Sequence, residues 1–120
     1  MAAASPPSWG GELPPPLKTA KAGKLATILV DPNGMTLYIY APDTQPGKSA
    51  CIGGCAQNWP PIRPGAYDPA PKAALSVITR DDGSKQYAYK RKSLYFWVRD
   101  RKPGDTTGHQ LGGVWFVAQP

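Results

Sequence analysis

The chain has 120 residues, including 15 prolines and 13 glycines, and a formal net charge of +6. This length allows one small domain with a modest hydrophobic core. The longest apolar run, around LATILV, is far shorter than the ~20 residues of a membrane-spanning helix, so no transmembrane segment is predicted. The start of the chain has neither a basic stretch nor an apolar core region, so no secretory signal is predicted there.

Residues 1–23 are rich in alanine, proline and glycine and show no hydrophobic periodicity. A stretch of this kind buries too little apolar surface to offset the entropy lost on ordering. We therefore expect a flexible arm over residues 1–23 and a single folded domain over residues 24–120. A proline-rich connector after Trp59 divides that domain into two halves.

Strand patterns dominate the rest of the chain. Residues 24–30 and 35–40 are rich in β-branched and aromatic side chains and flank the turn sequence DPNG, which predicts a β-hairpin. A second hairpin is predicted where LSVITR and KQYAYK flank DDGS, and further strands at SLYFWV and GVWFVA. No segment has an apolar stripe long enough to predict a helix. The predicted fold class is all-β.

The two halves repeat one unit. Both contain Tyr-x-aromatic-x-x-Asp, then a Pro-Gly step and later a tryptophan. The residues concerned are Tyr38, Tyr40, Asp43 and Trp59 in the first half and Tyr95, Trp97, Asp100 and Trp115 in the second. Two such copies, over about residues 25–62 and 76–120, each carry half of a hydrophobic face. They predict a pseudo-twofold domain, sandwich- or barrel-like, whose halves bury each other.

The repeated motif has a structural and a ligand-facing interpretation. Alternate strand residues share a face, so Tyr38 and Tyr40 point one way and Leu37 and Ile39 the other. Aromatic residues at this spacing are usually core residues. An aspartate at a strand end, such as Asp43, accepts backbone N–H bonds two residues along in an Asx turn. We therefore expect a scaffold, with a ligand surface as the alternative.

The two cysteines lie in the loop sequence CIGGC. In an exported protein, Cys51 and Cys55 most simply form a disulfide. Their spacing fits neither a thioredoxin-type CxxC motif nor haem attachment. The alternative is a soft-metal site in which two thiolates, with Met35 or His109, bind Cu(I). His109 is the only imidazole, and its Gly-rich context favours a surface residue.

Basic residues concentrate late in the chain, at Lys85, Lys90, Arg91, Lys92, Arg99, Arg101 and Lys102. Such a strip, interleaved with Tyr87, Tyr89 and Trp97, would suit a polyanion, although a solvated β surface is the simpler interpretation. The sequence contains no nucleophile elbow, phosphate-binding loop or His-Glu cluster, so no enzymatic chemistry is predicted. The turn positions of the two motif aspartates argue against a glycosidase-type carboxylate pair.

Two long stretches resemble a known family: LVDPNGMTLYIYAPDTQPGKSACIGGCAQNWPPI and YAYKRKSLYFWVRDRKPGDTTGHQLGGVWFVAQP. They are similar to bacterial secreted repeats, which are predicted lipoproteins with a Tyr-x-[Phe/Trp/Tyr]-x-x-Asp motif. The resemblance covers nearly all of residues 25–120 and implies export, often with a lipid anchor, but no known activity. The chain departs from the family in three ways. It has no lipobox cysteine near its start, Phe116 replaces a frequent histidine, and Arg91 replaces a frequent turn glycine.

Together these features favour an exported, non-catalytic cell-envelope β module that binds a ligand or partner protein. The expected location is the periplasm or the cell exterior, with membrane association open for a longer form, and no cofactor is expected. Two alternatives stay open. One is a periplasmic redox- or copper-associated protein built on the cysteines. The other is a polyanion binder, although export argues against nucleic acid as its partner.

Overall fold

A computed structural model of the chain describes residues 17–45, 47–64 and 75–120. The start of the predicted arm, Pro46 of the first Pro-Gly step and most of the proline-rich connector lie outside these residues. The described strands are β1 (Lys18–Lys21), β2 (Thr27–Val30), β3 (Tyr38–Tyr40), β4 (Leu75–Thr79), β5 (Lys85–Tyr89), β6 (Lys92–Ser93) and β7 (Trp115–Val117). The predicted all-β class is therefore confirmed.

The described residues also include one short helix, α1 (Gly54–Asn58), and two 3₁₀ turns at Gly23–Leu25 and Leu111–Gly113. Sequence patterns did not predict α1, because five residues are too few to show a helical period. None of the helices in the described parts of the chain has the length and apolar content needed to cross a lipid bilayer.

The strands form three small antiparallel sheets, in the orders β1-β2, β3-β7 and β4-β5-β6. In β1-β2, Lys18 is opposite Val30, and in β3-β7, Tyr38 is opposite Val117. The predicted second hairpin is present, since β4 and β5 pair along their whole length from Leu75 opposite Tyr89.

The first predicted hairpin has its turn but not its ladder. Asp31 Oδ1 accepts the N–H groups of Asn33 and Met35, both at 2.9 Å, which closes the DPNG turn. Beyond the turn only an isolated bridge, between Val30 and Thr36, joins the flanking segments. The strand β2 pairs with β1, and β3 pairs with β7. The prediction that β2 and β3 are ladder partners is wrong because both edges of β3 are taken by segments of the other repeat.

The folded domain begins earlier than the predicted boundary at residue 24. The strand β1 pairs with β2 over four residue pairs, and Leu17 is only 4% exposed in the core. The prediction of a flexible arm is therefore wrong for residues 17–23. The sequence KTAK shows no apolar alternation, so no strand was predicted there. The strand is held mainly by backbone hydrogen bonds and by Leu17 beside it. It is the first repeat's counterpart of β4, whose Leu75 is buried in the same cluster.

The predicted strand at SLYFWV is only partly regular. Residues 94–98 run beside residues 58–62, with N–H···O bonds from Ile62 to Leu94, from Phe96 to Pro60 and from Val98 to Asn58, at 2.7–3.2 Å. Pro60 and Pro61 have no N–H group, so this pairing lacks some of the bonds of a continuous ladder. Of the strand predicted at SLYFWV, only its first residue, Ser93, therefore lies in a regular strand, β6.

Each repeat is completed by the last segment of the other. Three segments meet at each of two equivalent junctions, linked in a triangle by three N–H···O bonds of 2.8–3.2 Å. The junction residues are Leu29, Leu37 and Ala118 in one triangle and Tyr87, Leu94 and Ile62 in the other. Ala118 comes from the second repeat and Ile62 from the first. The halves therefore exchange their terminal strands, and the prediction that they bury each other is confirmed.

The pseudo-twofold axis passes between Tyr38 and Tyr95. Each donates its backbone N–H to the carbonyl oxygen of the other, at 2.8 and 3.0 Å. Two buried clusters result, one containing Leu37 and Leu94 and the other containing both axial tyrosines. Alternate motif residues thus enter different clusters, as the strand alternation predicted.

Candidate functional site

Two reciprocal Tyr–Asp hydrogen bonds form the centre of the candidate site. The Tyr38 hydroxyl donates to Asp100 Oδ2, and the Tyr95 hydroxyl donates to Asp43 Oδ2, both at 2.6 Å. All four side chains are buried. Each bond joins the tyrosine of one repeat to the aspartate of the other. The motif spacing therefore places a tyrosine on the axis and a carboxylate where the partner tyrosine reaches it.

The second oxygen of each carboxylate closes the loop that follows. Asp43 Oδ1 accepts the Ala50 N–H at 2.6 Å. Asp100 Oδ1 accepts both the N–H and the hydroxyl of Thr107, at 3.0 and 2.6 Å. The predicted Asx turns are wrong at these positions, because the N–H groups lie seven residues along the chain rather than two. A turn of the predicted kind occurs instead at Asp31, whose carboxylate lies inside the DPNG loop.

Both axial tyrosines hold their protons strongly. Burial raises the pKa of Tyr38 far above its usual range, and the hydrogen bond to Asp100 raises it further. Burial and the hydrogen bond to Asp43 likewise raise the pKa of Tyr95. The physical cause is that a phenolate would lose hydration and face an acidic neighbour. Both phenols therefore act as neutral hydrogen-bond donors.

A buried arginine of the second repeat, Arg80, extends the network around the Asp43–Tyr95 pair. Ser49 Oγ lies 2.6 Å from the Tyr95 hydroxyl and accepts from Arg80 Nη1 at 3.0 Å. Arg80 also donates to Gln86 Oε1 at 2.7 Å and to the Cys51 carbonyl oxygen. Its guanidinium therefore ties the end of β4 to the disulfide loop. Sequence reasoning missed Arg80, although its position two residues after the inward-facing Ile78 could have indicated a buried side chain.

Four aromatic rings stack in a continuous column in the order Tyr40, Trp115, Trp59, Trp97. Adjacent centroids are 4.2, 3.7 and 4.1 Å apart, with interplanar angles of 24°, 1° and 25°. Successive rings come from alternate repeats. The inner pair is buried, and the outer rings, Tyr40 and Trp97, are partly exposed. The column therefore crosses the interface between the repeats and reaches the surface at both ends.

The axial tyrosines meet this column edge-on. Tyr38 contacts Trp59 at a centroid distance of 5.3 Å and 81°, and Tyr95 contacts Trp115 at 5.1 Å and 90°. The eight motif residues predicted to act together are thus brought into one assembly. Strand alternation placed Tyr38 and Tyr40 on one face of their strand, and Tyr95 and Trp97 on one face of theirs, but could not predict which ring stacks on which.

Gly108 packs directly against the column. A Cβ atom at this position would lie 2.7 Å from Trp59 Cη2 and 3.1 Å from Trp97 Cδ1. Its N–H also donates to the Tyr38 hydroxyl at 3.1 Å. The backbone can approach both rings only because this residue has no side chain.

The predicted disulfide between Cys51 and Cys55 is present. Both sulfur atoms are used by it, so neither cysteine is a thiolate ligand in this structure. His109 Nδ1 accepts the Val117 N–H at 3.1 Å, and its ring packs edge-on against Phe116. The described residues contain no group of three or more His, Cys, Asp or Glu side chains arranged to hold a metal ion.

An open cleft of about 550 Å³ lies at the Trp97 end of the column. It is lined by Trp97, Arg99, Arg101, Thr107 and Leu111. Leu111 is 42% exposed. Arg99 and Arg101 are both exposed, and the backbone N–H of Arg101 donates to Asp105 Oδ2. The cleft is thus lined by an indole side chain, an apolar side chain and two arginines.

Only part of the strip predicted to bind a polyanion is exposed to solvent. Its basic residues are largely exposed, but Tyr87 is fully buried and Tyr89 is only 9% exposed. The prediction that these two tyrosines offer stacking surfaces to a polyanion is therefore wrong. Both belong to the buried cluster that contains Leu37 and Leu94, because they lie in β5 between neighbouring strands. Only Trp97 of the predicted aromatic set reaches solvent.

Fold and site together define a two-repeat β protein built around reciprocal Tyr–Asp pairs. A family model described as a secreted repeat of unknown function matches the chain twice, over residues 19–63 and 76–119. The chain belongs to this family of secreted repeats, and the predicted resemblance is confirmed. No curated protein and no solved structure matches the chain. Each family match covers one of the two halves that exchange strands.

Proposed function

We propose that the protein is an exported binding module of the cell envelope and that the cleft beside Trp97 is its ligand site. The single observation that carries this proposal is the pair of guanidinium groups, Arg99 and Arg101, beside a partly exposed indole ring. The ligand class that fits is an anion with a flat apolar body, such as an aromatic carboxylate or sulfonate.

The chemistry of the cleft supports this class. Guanidinium groups bind carboxylates and sulfonates through charge-assisted hydrogen bonds. The Trp97 indole and the exposed Leu111 offer apolar contact to the body of the same ligand. The net charge of +6 favours the approach of anions from a distance.

The cleft is supported from behind by the rigid part of the protein. Trp97 stacks on the buried Trp59, and the Thr107 hydroxyl is held by Asp100. A ligand would therefore meet a Trp97 ring and a Thr107 hydroxyl that are already held in place, which lowers the entropic cost of binding. We place this module in the periplasm or at the cell exterior, in keeping with a family of secreted repeats.

The test is a calorimetric titration with naphthalene-2-sulfonate, with its neutral analogue 2-naphthol alongside. The double variant Arg99→Gln/Arg101→Gln should bind the sulfonate at least about tenfold more weakly, because charged hydrogen bonds contribute about 1.5–3 kcal/mol each. The matched control is Lys85→Gln/Arg91→Gln, which removes the same charge outside the cleft.

Equal losses in the two double variants would show that only net charge matters and would overturn the assignment of the cleft. Equal affinity for the sulfonate and for 2-naphthol would also contradict it. A steep dependence on salt that is shared by both variants would favour the polyanion alternative.

A further inference from the structure

We infer that the column of four rings is a path for single-electron transfer through the protein, with Tyr38 and Tyr95 as its proton-coupled electron donors. This inference goes beyond ligand binding and does not depend on it. It rests on three features of the described residues: a continuous stack, partly exposed outer rings, and a carboxylate bonded to each axial phenol.

The stack provides the path. Electronic coupling falls steeply with distance, and each ring lies within van der Waals contact of the next, with centroids at most 4.2 Å apart. Indole and phenol are also the side chains of lowest oxidation potential after thiolates. Tyr40 and Trp97, at opposite ends, are accessible to a reagent in solution.

The inner pair is the site where a positive charge would settle. Trp59 and Trp115 are parallel within 1° at 3.7 Å, which allows a radical cation to be shared over both rings. Each of these indoles has one axial tyrosine against it, Tyr38 on Trp59 and Tyr95 on Trp115. The positive charge therefore forms next to the two phenols.

The Tyr–Asp bonds make the next step possible. A metal-centred one-electron oxidant removes an electron from Trp97. Trp59 then gives an electron to the Trp97 radical cation and becomes the radical cation itself. Tyr38 then gives one electron to the Trp59 radical cation, while its hydroxyl proton moves to the Asp100 carboxylate along the 2.6 Å hydrogen bond. The products are a neutral tyrosyl radical, a neutral carboxylic acid and a restored indole. A one-electron reductant reverses the step and returns the proton.

The proton must move with the electron because the phenol does not ionise beforehand. Burial and the acidic neighbour raise the pKa of both axial tyrosines. The same geometry exists at Tyr95 with Asp43, where Ser49 and Arg80 add hydrogen bonds that the other site lacks in this form. A scaffold alone requires the bonds but does not require the stack to reach the surface at both ends.

The test uses flash photolysis of the wild-type protein with ruthenium tris-bipyridine and cobalt pentaammine chloride as the electron acceptor. We expect a tryptophanyl radical that converts into a tyrosyl radical, each identified by its absorption band and its electron paramagnetic resonance spectrum. In Tyr38→Phe/Tyr95→Phe the tyrosyl signal should be lost and the tryptophanyl radical should persist. The matched control, Tyr89→Phe, removes a tyrosine of the other cluster and should behave as wild type.

Two further measurements keep the inference testable if the double variant does not fold. In heavy water the wild-type conversion should slow, because the proton moves in the same step. In Asp100→Asn the tyrosyl signal from Tyr38 should be lost. A tyrosyl signal that persists in the double variant, a loss in Tyr89→Phe, or conversion with no isotope effect would each overturn the inference.

Discussion

The two loops that follow the motif aspartates are both closed on themselves, but by different interactions. In the first repeat, residues 43–55 are closed by the Cys51–Cys55 disulfide and by Arg80, which reaches in from the other repeat. In the second, residues 100–109 contain no cysteine. There Asp105 Oδ2 accepts the N–H groups of Arg101 and Lys102 at 2.9 and 3.2 Å.

What the loops share is the carboxylate at their start. Asp43 and Asp100 each accept one N–H seven residues along the chain and one phenol from the opposite repeat. Hydrogen bonds of Asp105 and Thr107 close the second loop, where the first loop has the disulfide. The comparison shows that the means of loop closure is interchangeable, whereas the Tyr–Asp pair holds the two repeats together.

The largest effect is expected from Asp43→Ala and Asp100→Ala. Asp100→Ala leaves the Tyr38 phenol and the Thr107 N–H without their acceptor. Asp43→Ala leaves the Ala50 N–H without its acceptor and the Tyr95 phenol with only Ser49 Oγ beside it. An unsatisfied buried donor costs about 1–3 kcal/mol. We therefore expect each to lower the free energy of unfolding by about 3 kcal/mol, measured by urea denaturation. This exceeds the cost of a lost turn alone, about 1 kcal/mol by analogy with helix caps.

Asp81→Ala is the matched control for these variants, because Asp81 is exposed and its loss should change stability by less than about 0.5 kcal/mol. Losses of about 1 kcal/mol or less in both motif variants would show that the Tyr–Asp pairs do not hold the repeats together.

Alkaline pH should weaken both pairs. The pKa of Tyr38 and of Tyr95 is raised in the folded state, so the unfolded chain releases these protons first. The resulting stability is fully present below the ordinary tyrosine pKa of about 10 and is lost above it, by about 1.4 kcal/mol per pH unit for each tyrosine.

The measurement is a spectrophotometric tyrosinate titration with circular dichroism. Two tyrosines should stay protonated until the protein unfolds, because burial and the hydrogen bonds to Asp100 and Asp43 raise the pKa of Tyr38 and of Tyr95. Ionisation of every tyrosine near pH 10 in folded protein would contradict the burial of the axial pair.

Gly108→Ala tests the loop of the second repeat alone. The added Cβ would lie 2.7 Å from Trp59, and overpacking of this kind typically costs about 1–3 kcal/mol. We expect a loss of about 2 kcal/mol together with a changed near-ultraviolet dichroism of the tryptophans. Gly54→Ala is the control, since a Cβ there meets nothing within 4 Å. Equal stability of the two variants would show that the backbone does not pack tightly on the column.

Removal of the disulfide should weaken the first repeat modestly. Its loop is short, so Cys51→Ala/Cys55→Ala should cost no more than about 2 kcal/mol, the low end of the usual range. The measurement is urea unfolding with and without reductant, together with intact mass and alkylation of the oxidised protein. Two freely alkylating thiols in protein from an oxidising compartment would contradict the disulfide and favour a soft-metal site.

The smallest effect is a gain in stability. The turn of the first repeat has Gly34 at φ 89°, whereas the corresponding turn of the second has Arg91 at φ 71°. A non-glycine residue pays about 1–2 kcal/mol in this region, partly offset by the greater flexibility of glycine when unfolded. Arg91→Gly should therefore increase the free energy of unfolding by up to about 1 kcal/mol, which would appear as a higher midpoint of thermal unfolding. A lower midpoint would show that the Arg91 side chain makes contacts that matter.

Much of the local structure could be predicted from the sequence. The strand alternation around Leu37 and Tyr38 placed them on different faces, and turn residues located DPNG and DDGS. The spacing of CIGGC predicted the disulfide, and the repeated motif predicted two halves. These features depend on residues close together in the chain, where backbone preferences and side-chain period act directly.

Only the tertiary structure decided which segments pair. The Tyr–Asp bonds join residues 62 and 52 positions apart, and a local pattern is the same whether a strand pairs within its repeat or across the axis. Burial of the axial tyrosines favours the crossed arrangement, because each phenol then reaches a carboxylate. The polar strand β1 and the buried Arg80 escaped prediction for the same reason. Their places are set by backbone pairing and hydrogen-bond partners contributed by distant parts of the chain.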